Sequence, residues 1–181
     1  DYNSPKRKGF ISDFLGNGAD DFFIHRPVLT QPKLSAAARI INKPDKYELN
    51  YIGYTVVIHA KRKLAMYSAA SINFEHRHAI DSRTDTWRSD PRILDEHQLD
   101  DSYYSKKRKG RDNKFDKGHL TRNEDMEFGS DVIVAAEQAV DTFHYTNRAP
   151  QHQKFNRQGY LWQDLELHIL ENSIKANNFR A

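Results

Sequence analysis

Tyr51–Phe74 reads YIGYTVVIHA, then Lys61-Arg62-Lys63, then LAMYSAASINF. Two runs rich in β-branched and aromatic residues around a three-residue basic turn predict an antiparallel hairpin, Tyr51–Ala60 with Leu64–Phe74. Upstream, residues 1–45 are punctuated by Gly9, Gly16, Gly18, Pro27, Pro32 and Pro44 and read as loop, with a short helix at Leu34–Ile40. Downstream, residues 81–113 are polar and irregular, rich in Asp, Arg and Ser. The period turns helical at Asp131–Thr142, where Val132, Ala135, Ala136, Ala139 and Val140 recur behind Ser130 or Asp131 as N-cap. Phe143–Tyr145 predicts a short strand. A last helix runs from about Tyr160 to Asn177, with Leu161, Leu165 and Ile169 every four residues and Trp162 and Leu170 widening the stripe. Strands and helices are segregated rather than alternating, which predicts an α+β fold.

At 181 residues the chain suits one domain, or two small ones, with a sizeable core. Aromatics at 12% argue against a disordered chain, and no repeat is visible. No apolar run approaches the ~18 residues of a membrane span, and no apolar stretch follows the opening residues as a signal peptide would require. The first residue is Asp rather than Met, as in a mature form or a piece of a longer protein. With no cysteine, disulfides, thiolate zinc sites and a Cys nucleophile are excluded. The formal charge is +3, yet Tyr103–Arg122 alone carries eight Lys/Arg against two Asp. A basic stripe on a near-neutral body suits a polyanion met at one place, and equally suits a solvated charged loop.

Chemistry concentrates in Phe115-Asp116-Lys117-Gly118-His119-Leu120. A His reached from an Asp through a Gly that lets the backbone bend is a plausible general base with an orienting neighbour. Taken alone it is more often a surface or satisfied core residue, since the chain holds nine histidines. The second cluster is Thr146-Asn147-Arg148-Ala149-Pro150-Gln151, then Phe155-Asn156, then Trp162-Gln163-Asp164-Leu165-Glu166. Carboxamides before a helix commonly cap it. A carboxamide oxygen backed by one acid also makes a hard-oxygen site that suits a hydrated Mg²⁺. His76 and His78 would share one face of a strand, but no third ligand stands at a metal-binding spacing. His144, His152 and His168 lie near the second cluster and read as solvated or structural.

In these motifs the sequence resembles the DNA/RNA non-specific endonucleases of the ββα-metal (His-Me finger) class. The family's Asp-Arg-Gly-His plus apolar signature is met by Asp116-Lys117-Gly118-His119-Leu120, its Asn-x-x-Pro-Gln by Asn147 to Gln151, its following Asn by Asn156, and its Trp-x-x-Leu-Glu by Trp162 to Glu166. Upstream, Arg83 stands four residues before Trp87, with Asp90-Pro91-Arg92 behind it. The hairpin and the segment Gly9–Leu15 also match, in the same order. Two departures are Lys117 in place of the usual Arg, which keeps the charge and loses the bidentate fork, and a gap from Asn156 to Glu166 two residues longer than usual.

The resemblance implies a mixed, mainly antiparallel sheet with flanking helices around a ββα-metal core, in a single domain over residues 1–181. It implies a metal-dependent, sequence-non-specific endonuclease that hydrolyses DNA and/or RNA to 5′-phosphate products. His119 would be the general base and Arg83 the phosphate clamp. Asn147 would orient the site and Asp116 shape the His119 turn. Asn156 would ligate Mg²⁺ (with Mn²⁺ or another divalent cation as substitute), and Glu166 would reach it through water. Lys106, Lys107, Arg108, Lys109, Arg111, Lys117 and Arg122 would grip the nucleic-acid backbone, with Tyr103 and Tyr104 available for stacking. A nucleic-acid-binding module that keeps the fold without the chemistry is the alternative. The resemblance involves no membrane, and it leaves open the compartment, a homodimer and regulatory domains in a longer chain.

Overall fold

In the computed structural model, residues 1–16, 22–81, 85–157, 159 and 161–175 are described. The expected hairpin forms as β2 (Tyr54–His59) against β3 (Leu64–Ala70), and β1 (Leu49–Asn50) adds to the other edge of β2, all antiparallel. Residues 54–58 of β2 are buried on both faces, although one face is the usual condition for an antiparallel strand. Alternation explains the division. Tyr54, Val56 and Ile58 join Leu49, Tyr51, Ala38, Ile93 and Met126 in the main core. Val57 points the other way, into a smaller cluster with Leu29 and Ala37. Each such side chain contributes roughly 1.5–3 kcal/mol of burial.

The second face is covered by the loop-rich N-terminal segment. Gly9 N–H donates to the Tyr51 carbonyl, and Phe10 N–H to the Thr55 hydroxyl. Gly9 has a positive φ, and a Cβ there would run into the Thr55 and Asn50 side chains, so only glycine allows this approach. Arg7 then forms a two-pronged pair with Asp141 (2.7 and 2.9 Å), and Tyr2 OH meets His144 Nε2 at 2.8 Å. The helix expected over Leu34–Ile40 is shorter: α1 spans Lys33–Ala36, after which Ala37 turns extended and bridges His59. Ala38 N–H donates to the Ile58 carbonyl. Pairing with the end of β2 satisfies backbone groups that a longer helix would have used internally.

Helix α2 (Val132–Asp141) begins where expected, the Asp131 carboxylate accepting from the N–H groups of Ile133 and Val134. The strand expected at Phe143–Tyr145 does not form: His144 makes a single bridge to Arg88, then a 3₁₀ turn covers Tyr145–Asn147. The His144 ring, fixed by the Asp141 carbonyl and Tyr2, turns the chain instead. Likewise Phe74–His76 is a 3₁₀ turn, so His76 and His78 do not share a strand face. In the polar stretch, β4 (Lys107–Arg108) and β5 (Arg111–Asp112) make a small hairpin. Then β6 (Phe115–His119) pairs antiparallel with β7 (Arg148–His152), and α3 (Gln153–Asn156) packs against both strands. The final helix, α4 (Leu161–Lys175), packs against α3. Among the described residues no helix is long and apolar enough to cross a membrane.

Candidate active site

Strand β6 carries His119 at its end, and the register sets Gly118 opposite Ala149 and His119 opposite Arg148. The glycine does not make a sharp bend here, as its sequence position suggested. It lies within the strand and is required because a Cβ would enter the space of the Gln151 side chain. Gln151 uses that space to donate from Nε2 to the His119 carbonyl at 3.3 Å. The imidazole is wedged between Trp87, with ring centroids 4.6 Å apart, and Phe143, edge-on at 4.8 Å. Two rings fix its plane without consuming a nitrogen, which leaves orientation and proton chemistry separable.

Beneath the histidine the chain is braced by Asn147. Its amide donates to the carbonyls of Thr121 (2.9 Å) and Thr142 (3.0 Å) and its oxygen accepts from Thr121 N–H (2.9 Å). It is wholly buried and lies outside the cleft wall, and what it holds is the backbone after His119. Buried Arg148 is a second brace, which the sequence signalled only by proximity. It donates to Asp101 and the Leu99 carbonyl, both at 2.8 Å, and stacks on Tyr145 and Tyr104. Tyr104 therefore packs on a guanidinium instead of standing available for a base.

Asn156 closes α3 and faces the cleft. Its Nδ2 donates to Asp116 Oδ2 at 3.3 Å, and Arg157 grips the same carboxylate with Nε (3.0 Å) and Nη2 (2.9 Å). The Arg157 bonds hold the Asp116 carboxyl below the usual carboxylate range. An ionised Asp116 accepts only, so it orders the amide with nitrogen toward itself and oxygen toward the cleft. Asp116 thus positions Asn156 rather than bending the strand.

His119, Asn156 and Glu166 line one cleft of about 130 Å³, with Lys117, Arg122 and Glu124. Trp162 and Gln163, on the first turn of α4, complete its wall. Arg122, expected on the basic surface, is only 7% exposed. Its Nε donates to Glu124 at 2.9 Å and lies 3.9 Å from Glu166; Nη1 is buried, 3.8 Å from Asp125 and without a hydrogen-bond partner among the described residues. Burial pushes the Glu166 carboxyl up, with Arg122 opposing. Lys117 reaches Asp101 at 2.8 Å. Glu124 and Gln163 escaped the sequence reading because each is distinguished only by what folds around it. Arg83 lies outside the described residues.

The donor set fits a hydrated hard cation: the Asn156 carboxamide, the half-buried Glu166 carboxylate with Glu124 beside it, and a cleft with room for water. Among the described residues no three His, Cys, Asp or Glu converge as a multi-ligand metal cage.

A family model described as DNA/RNA non-specific endonuclease matches residues 37–181. Protein y4fB of Sinorhizobium fredii (strain NBRC 101917 / NGR234), itself uncharacterized, is 35% identical over 175 residues, covering 94% of this chain. The chain spans 25% of that relative's length. A chain in the crystal structure of the EndoG/EndoGI complex has a similar fold, with a TM-score of 0.54 at 18% identity over 70% of this chain and 47% of that one. Within this fold β6, β7 and α3 form a ββα unit, two antiparallel strands with a helix packed on both. With the family match running from Ala37 to the last residue and enclosing every wall of the cleft, the chain belongs to the DNA/RNA non-specific endonuclease family.

Proposed function

We propose that residues 1–181 form one unit that hydrolyses phosphodiester bonds of DNA and/or RNA without sequence preference, with a divalent cation as cofactor. The observation carrying this reading is the convergence of His119, Asn156 and Glu166, drawn from β6, α3 and α4, on one polar cleft. His119, with its ring plane set by Trp87 and Phe143, takes the proton from the attacking water. Asn156 offers the carboxamide oxygen that would hold Mg²⁺ or Mn²⁺, and Glu166 would reach the ion through water. When bound, the cation supplies charge neutralisation for the phosphoryl oxygens and the departing 3′ oxygen. The buried Arg122 Nη1, together with Lys117, offers the phosphate positive charge inside the cleft. Arg83 is assigned the outer phosphate clamp.

Substrate is gathered by charge. Lys106, Lys107, Lys109 and Arg111 are exposed on and beside the β4–β5 hairpin, just ahead of the catalytic strand; Arg108 is placed there by its backbone alone. Contacts to phosphates carry no base information, which accounts for cleavage without sequence preference. The deciding experiment incubates the purified chain with plasmid DNA and with RNA in Mg²⁺, in Mn²⁺ and in EDTA. Cleavage that needs the cation and leaves 5′-phosphate ends is expected. Binding without cleavage under both cations would favour the inactive-module reading instead.

A further inference from the structure

The cleft is not the only concave surface on β6. Two residues before Lys117 on the same face of the strand, Phe115 opens onto a separate groove of about 560 Å³. One wall is the β4–β5 hairpin. Lys109 and Gly110 at its tip both have positive φ (51° and 75°), the two-residue turn whose twist matches antiparallel strands. Glycine is suited to that backbone; Lys109 adopts it against preference, and adds a cation to the groove lining. Arg111 and Lys114 add two more cations, against Asp112 as the one acid among the lining residues. The opposite wall is aromatic: Phe115, 43% exposed, meets His152 edge-on at 5.8 Å across the β6–β7 pair, and Tyr103 lines the same groove. Asn113 braces the floor, its Nδ2 donating to the Tyr103 carbonyl and its Oδ1 accepting from Phe115 N–H.

Cations on one side and an open ring on the other suit a strand whose bases are unstacked. In a duplex each base face is covered by its neighbours and only edges and phosphates are offered, so an aromatic ring there has nothing to stack on. The volume lies in the range of a small-ligand site, ample for a nucleoside. Four residues of strand separate Phe115 from His119, about 13 Å, which is at most about four stacked nucleotide steps at 3.4 Å each. We infer that this groove seats an unpaired base and its flanking phosphates within a few nucleotides of the scissile bond, so that single-stranded nucleic acid is the preferred substrate. The inference rests on the nuclease reading for its polarity toward the cleft, but binding at the groove does not depend on turnover.

The test measures binding in EDTA, where no cleavage occurs, using an oligonucleotide carrying 2-aminopurine at successive positions and the duplex of the same sequence. The single strand should bind about tenfold more tightly at equal salt, with 2-aminopurine fluorescence quenched at one or two positions. Phe115→Ala should cost the single strand about tenfold, change duplex binding less than twofold and remove the quench, while Phe115→Trp restores both. Equal affinity for the two forms, or an unchanged quench in Phe115→Ala, overturns the inference and returns Phe115 to a cross-strand partner of His152. If the quench is Phe115-dependent but no divalent cation supports cleavage, the groove stands and the nuclease reading falls. Cleavage without strand preference sinks the groove alone.

Discussion

The molecule contains two principal antiparallel strand pairs built to opposite ends: β2–β3, joined by a tight turn, and β6–β7, brought together across α2. In β2–β3 the central strand is sealed on both faces by the main core and the N-terminal segment, and Tyr54, Val56, Val57 and Ile58 supply its apolar contacts. In β6–β7 the strands read FDKGH and RAPQH, half-exposed and polar, and are held by the Asn147 carboxamide, the Arg148 guanidinium and the Trp87 and Phe143 rings rather than by an oily interior. The first pair gains stability from burial and offers no reactive group. The second leaves its end open to a cleft, and its shape is maintained by directed hydrogen bonds. Catalytic groups need both water and fixed geometry, and only directed bonds supply the second without excluding the first.

This contrast can be broken most severely at His119. His119→Ala should lower the cleavage rate by about 10²–10⁴-fold while leaving the denaturation midpoint and nucleic-acid affinity near those of the parent; retained wild-type rates would remove the proposed base. The complementary change, Ile58→Ala in β2, should cost about 2–5 kcal/mol in denaturant unfolding, with unchanged kcat in the folded fraction. A large kcat loss there would mean the two strand pairs are not separable.

The brace between them carries a pH signature. Burial, aided by the Arg88 charge, pushes the His144 imidazole from its ordinary 6.5 down to about 4. A lowered histidine contributes stability above its unfolded value, and that contribution is lost as pH falls from about 6.5 through about 4, on the order of 3 kcal/mol in all. His144→Asn should flatten that part of the stability profile; an unaltered acid limb would assign it to other groups.

Smaller effects test the polar strand pair. Asp116→Asn should cost about 10–100-fold in metal affinity or activity, because a carboxamide there can donate as well as accept and no longer compels the orientation of the Asn156 amide. Raising the cation concentration should recover part of the rate, which a purely structural role would not allow. Least of all, changing Lys106 and Lys107 together to Gln should weaken binding modestly and reduce the salt slope by about 1 per lysine. An unchanged slope would make those residues a solvated loop.

Much of the fold was legible because it is written in local periodicity. The β2–β3 hairpin, the α2 N-cap at Asp131 and most of the last helix follow from alternation, capping chemistry and a repeat of about 3.6 residues. The site motifs were legible through the family resemblance, which expects His119, Asn156 and Glu166 around one ion; spacing alone left His119 one histidine among nine. Where local preference is weak, tertiary contacts overrode it. Ala37 and Ala38 are good helix formers, yet they pair with β2, and His144 ends a would-be strand because its ring is fixed by Tyr2 and Asp141.

Sequence by itself determined the α+β class and the apolar character of the β2–β3 hairpin, since those reside in side-chain type and short-range spacing. Its ordered motifs pointed by resemblance to the residues expected to do acid–base and cation chemistry. Only the tertiary structure decided which polar residues face the cleft and which brace it: Arg122 inside rather than on the surface, Asn147 behind the strand, Asp116 turned to Asn156, Phe115 open to a groove. Orientation of a polar side chain depends on partners dozens of residues away in the chain, and no periodicity encodes those distances.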